Sequence, residues 1–75
     1  MNETPRWTTF AIESEDLTGP VIGRVDGGDP LSPGDAVGMR SPGGVKRFRV
    51  SRVLYLEQVW PDAWVNRLVL LEPVS

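Results

Sequence analysis

The chain contains neither cysteine nor histidine among its 75 residues. Without cysteine a disulfide framework is excluded, and a reducing, cytoplasmic location is the expectation. Without histidine the commonest general acid–base group near neutral pH, and the commonest metal ligand, is missing. Apolar runs are no longer than four residues, Val53–Leu56 and Leu68–Leu71, whereas a membrane-spanning helix needs about 20. Met1–Arg6 has no apolar stretch, so no secretory signal is expected there. A Gly-x-x-x-x-Gly-Lys-Ser/Thr loop is also lacking, which excludes nucleotide binding of the P-loop kind. Finally, no apolar pattern of period 3.6 is sustained, and long helices are not expected.

What is abundant is turn chemistry. Eight Gly and seven Pro in so short a chain favour short strands joined by tight turns. A chain of 8.3 kDa supports one domain, residues 1–75, with one thin core. On size scaling a closed globule of this mass exposes about 4,600 Å² and buries roughly 60% of its extended surface. Stability is therefore expected to be marginal or to draw on a partner.

Five strands are expected: Trp7–Glu13, Val21–Val25, Ala36–Arg40, Val45 to about Glu57, and Arg67–Glu72. Ser32-Pro33-Gly34-Asp35 fits a type II turn, because proline presets φ at the first central position and glycine supplies φ > 0 at the second. In the fourth strand Phe48 and Val50 share a face, but the next inward apolar residue is Val53. That spacing of two then three predicts a β-bulge at Ser51 or Arg52. Trp60 and Trp64 are four apart with Pro61 between them, which points to a single helical or 3₁₀ turn. The predicted core is Phe10, Ile12, Val21, Val25, Val37, Phe48, Val50, Val53 and Leu70. The expected fold is all-β: a small closed or nearly closed antiparallel Greek-key barrel of five to six strands.

Three stretches carry a resemblance. Phe10-Ala11-Ile12-Glu13, then Gly19-Pro20-Val21-Ile22-Gly23-Arg24-Val25-Asp26-Gly27-Gly28, then Leu31-Ser32-Pro33-Gly34-Asp35-Ala36-Val37 follow one another in this order. The arrangement resembles the second domain of translation GTPases of the elongation factor Tu type, over residues 10–73. The resemblance implies a translation-protein barrel standing alone, without the nucleotide-binding domain. It also places Asp26 at the family's acidic position, which in the tRNA-carrying member lies near the tRNA acceptor end. Here aspartate stands for the usual glutamate, and Gly27 for the basic residue that follows it.

Catalysis is not expected, because no nucleophile–base pair can be assembled without His or Cys. Glu13, Glu15 and Asp16 read as a carboxylate cluster or, more simply, as a solvated loop rim. Asp26 and Asp29 offer too few oxygens for calcium, so neither metal nor other cofactor is expected. The charge pattern is more informative. Net charge is −2, yet residues 36–56 hold Arg40, Lys46, Arg47, Arg49 and Arg52 and no acid. Such a strand reads either as a solubilising surface or as a face for an anionic partner. The Trp60–Trp64 pair reads as a plug for the barrel end or as an aromatic anchor at an interface. Together these features point to a soluble, non-catalytic binding or adaptor module for a protein or ribonucleoprotein. Direct RNA binding through the basic strand and structural self-association are the alternatives; a membrane and a nucleotide are not expected partners.

Overall fold

Segments rich in β-branched and aromatic residues suit a pleated surface, and all five expected strands form, including the Ala36–Ser41 segment, where Val37 is the only such residue. The computed structural model describes residues 4–15 and 19–74. Its strands are β1 (Arg6–Ile12), β2 (Val21–Asp26), β3 (Ala36–Ser41), β4 (Gly44–Gln58) and β5 (Trp64–Pro73), with no helix among the described residues. Asp16, read above with Glu13 and Glu15 as a carboxylate cluster or a solvated loop rim, lies outside them.

The strands make one curled sheet, a half-barrel, in the order β2-β1-β5-β4-β3. Antiparallel pairing throughout is corrected at one ladder: β1 and β5 run parallel, from Arg6↔Val65 to Ile12↔Leu71. These two strands are separated in sequence by all the others, so no hairpin forces them to oppose. A parallel pair needs only a long crossover, which β2–β4 provide. The strands β2 and β3 are the two edges. The accessible surface, 5682 Å², exceeds that of a closed globule of this mass, and the extents are 43 × 27 × 19 Å.

The concave face holds the core. Phe48 and Val50 pack with Val69 and Leu71, and Phe10, Ile12, Val37 and Val53 lie against them. Two predicted core residues are corrected, since Val21 is 64% and Val25 47% exposed. On β2 the register slips: Phe10 faces Gly23, but Ala11 faces Val21. The unpaired Ile22 turns inward in Val21's place and joins the core. Val25 sits on an edge strand with no neighbour to cover it. Leu70 is fully buried, but it belongs to the convex face with its partners Ala11 and Arg52, not to the Val69–Leu71 cluster.

The bulge lies at Ser51. Val50 pairs with Leu71 and Arg52 with Leu70, which leaves Ser51 unpaired and returns Val53 to the concave side. The Ser32–Asp35 turn has its expected form: Gly34 has φ 96°, and Asp35 N donates to Ser32 O at 3.0 Å. The connection from β2 to β3 crosses from one edge of the sheet to the other and packs the half-buried Leu31 against the core. Thr8 Oγ1 donates to Gly27 O at 2.7 Å and Arg67 Nη2 to Gly28 O at 2.8 Å, pinning the start of this loop.

Gln58–Asn66 contains no helical turn. β4 and β5 continue their ladder to Gln58↔Trp64, so only residues 59–63 remain for the reversal. A five-residue hairpin loop suffices there, and one isolated helical turn would gain little. Gln58 Nε2 donates to Asp62 O at 2.9 Å and closes the loop.

Candidate binding face

Strand alternation decides where each basic side chain stands. On β4, Arg47 and Arg49 alternate with the buried Phe48 and Val50, so both stand on the convex face, exposed. Arg40 pairs with Val45, which shares that phase, and so joins them. Across the ladder, Arg47 faces Gly38 and Arg49 faces Ala36. These two small residues leave both guanidinium groups uncovered from the β3 side.

Two of the five candidate basic residues leave this group. Lys46 has the opposite phase; it pairs with Met39 and lines a groove on the concave side. Arg52, which the bulge brings onto the same convex face opposite Leu70, is held there by Glu13, with Nε donating to Oε1 at 2.9 Å and Oε2 at 3.2 Å. Its Nη2 also donates to Ser14 O at 3.3 Å. Because β5 lies between β4 and β1, this ion pair arches over β5 and covers Leu70. Glu13 is thus a structural partner rather than part of a carboxylate cluster, while Glu15 is exposed. Among the described residues none of Arg40, Arg47 and Arg49 has an ion-pair partner within 4.0 Å.

Glu72 was not evident as a neighbour from the sequence. It is the residue directly opposite Arg49 on β5, and so an acid beside the patch. The signal was weak: Glu72 follows the apolar run Leu68–Leu71, but its register depends on the bulge at Ser51.

The aromatic residues regroup. Trp60 is 83% exposed at the β4–β5 loop, with Val59 also exposed beside it. Trp64 instead stacks on Trp7, centroids 5.6 Å apart and planes 25° apart. The Arg24 guanidinium lies 4.7 Å from the Trp7 ring centroid on the other strand. The expected Trp60–Trp64 tip is therefore corrected. Trp60 lies in the 59–63 reversal, whereas Trp64 opens β5 in the phase of Asn66, the residue paired with Trp7, and so meets Trp7 diagonally across the β1–β5 ladder. Asp26 is exposed at the end of β2, opposite Trp7.

The basic patch and the aromatic loop also lie apart. Arg49↔Glu72 is near one end of the β4–β5 ladder and Gln58↔Trp64 ends the other. Eight residues of strand separate them, about 26 Å. They do not form one continuous surface.

Fluorescence quenching checks the aromatic assignment. Iodide is expected to quench Trp60 in the folded domain while Trp7 and Trp64 stay largely shielded. Trp60→Phe should remove most of the quenchable fraction, and quenching that persists in this variant would place the stacked pair in solvent. No known family model, characterised protein or solved structure matches this chain.

Proposed function

We propose that this domain is a non-catalytic binding module that docks an acidic protein partner on Arg40, Arg47 and Arg49, built on a barrel of the translation-protein type. The observation that supports it is the juxtaposition of these three residues: one face, no ion-pair partner within 4.0 Å among the described residues, and on the β3 side only Gly38 and Ala36 opposite the latter two, although Glu72 stands opposite Arg49 on β5. Like charges this close repel at low ionic strength and are screened beyond about 8 Å at physiological salt. An anionic partner turns that repulsion into attraction and speeds encounter. The absence of His and Cys supports the non-catalytic part of the reading.

Charge reversal is the test. Arg47→Glu with Arg49→Glu leaves the concave core untouched, so the parent circular dichroism and melting should be retained. Capture of acidic partners from extract should fall at least about tenfold, more steeply at low salt than at physiological salt. Captured RNA with a steep, sequence-tolerant salt dependence would instead favour the RNA reading. If the parent captures nothing that the double variant loses, the patch is a solvated surface only.

A further inference from the structure

A sheet that curls without closing leaves two edges with unpaired backbone donors and acceptors. Here β2 and β3 are those edges. Following the directions of the four ladders, they run antiparallel to one another across the opening. No Cα of β2 lies within 8 Å of a Cα of β3, yet Met39 Cε is 3.8 Å from where a side chain at Gly23 would start. Paired strands lie about 4.8 Å apart, and strands flanking a third about 10 Å. The seam is too wide for a ladder, and one side chain spans it as a floor. The two edges are thus farther apart than a paired-strand spacing and open to an added strand.

The backbone of β3 is phased to receive it. A two-residue connection, Pro42-Gly43, makes Ser41↔Gly44 a hydrogen-bonded pair. Val50 N donating to Asp35 O at 2.8 Å follows the same alternation. Asp35, Val37, Met39 and Ser41 therefore turn their backbone groups toward β4, while Ala36, Gly38 and Arg40 turn theirs to the seam. Gly38, at the centre of that row, has no side chain to bar a second backbone. On the concave side the seam opens on a groove of about 700 Å³ lined by Ile12, Ile22, Met39, Lys46, Arg47 and Phe48 among others. On the convex side it is bordered by Arg40, with Arg47 behind the bare Gly38.

We propose that an extended segment of another protein, with apolar and acidic residues in alternation, adds to β3 as a sixth strand and completes the barrel. The inference rests on the basic-face reading above and gives the partner a conformation and a sequence pattern. Its apolar side chains fill the concave groove, and its acidic ones meet Arg40 and Arg47 on the convex face. Main-chain hydrogen bonds supply affinity and the alternation supplies specificity, as in other strand-addition complexes. A second copy of this chain is the poorer occupant. Pairing two β3 edges places the arginines of both copies on one face, and opposed like charges destabilise a ladder.

The probe is a short synthetic peptide of alternating valine and glutamate, titrated into the isotopically labelled domain and followed by NMR. The amides of Ala36, Gly38 and Arg40 should shift and become protected from exchange. A valine–lysine peptide, and a valine–glutamate peptide N-methylated at alternate backbone positions, should not bind. Gly38→Pro removes the central donor from an edge, where proline is tolerated, and should weaken binding at least about tenfold. Should that variant misfold, the N-methylated peptide still decides the matter. Binding that Arg47→Glu/Arg49→Glu abolishes but Gly38→Pro and N-methylation leave intact would overturn strand addition and spare the basic-face reading. Binding lost in none of these, or no binding at millimolar peptide, overturns strand addition; the basic-face reading is then judged on its own by capture from extract. Concentration-dependent mass of the free domain, with the same three amides protected, would assign the seam to a second copy and overturn the proposal.

Discussion

Replacing Phe48 by alanine is expected to abolish the folded state. Phe48 is 7% exposed and packs in the central cluster with Val50, Val69 and Leu71. Its neighbours across the two ladders are Val37 and Pro73, so the hole would open under both β3 and β5. Truncating a buried phenylalanine costs about 3–5 kcal/mol. A domain of this length has roughly 4–11 kcal/mol in all, and only six apolar residues are buried among the described ones, which places it toward the low end. Urea denaturation followed by tryptophan fluorescence is the measurement. A midpoint like the parent's would mean that Phe48 does not carry this core.

The second large effect is expected at Arg67. Its side chain is buried on the concave side, 9% exposed, between Thr8 of β1 and Tyr55 of β4. Nη2 donates to Gly28 O at 2.8 Å and to Gly27 O at 3.4 Å, where Thr8 Oγ1 also donates at 2.7 Å. Its hydrogen-bonding partners here are thus loop carbonyls, and the loop they belong to is the one that crosses between the sheet edges. Arg67→Met keeps most of the volume and removes the donors. Charged hydrogen bonds contribute about 1.5–3 kcal/mol, which for a domain of this size corresponds to a fall in Tm of roughly 6–24 °C. Amide exchange should accelerate most from Gly27 to Leu31. An unchanged Tm with unchanged loop exchange would show that Arg67 merely fills space.

Local features of this chain were readable because their causes are local. The turn at Ser32–Asp35 follows from proline and glycine in adjacent positions. The bulge at Ser51 follows from a break in period two that needs no knowledge of the partner strand. The phase of Arg47 and Arg49 against Phe48 and Val50 is likewise intrinsic to a strand. The readings that failed depended on pairing. Ile22 replaces Val21 in the core because β1 and β2 slip by one residue, and Trp64 leaves Trp60 for Trp7 because β5 lies parallel to β1.

By itself the sequence determined the strand count, the Ser32–Asp35 turn, the bulge and the alternation of Arg47 and Arg49 with core residues, since each rests on backbone preferences spanning a few positions. Tertiary structure alone decided which charges stay free. It brought Glu13 across β5 to Arg52, set Glu72 opposite Arg49, and turned Lys46 to the other face. It also left β2 and β3 as unpaired edges, with no Cα of one within 8 Å of a Cα of the other. The reason is physical: ion pairs and sheet edges arise from register between segments distant in the chain. A one-residue slip reverses every side chain it touches, and no short window of sequence contains that register.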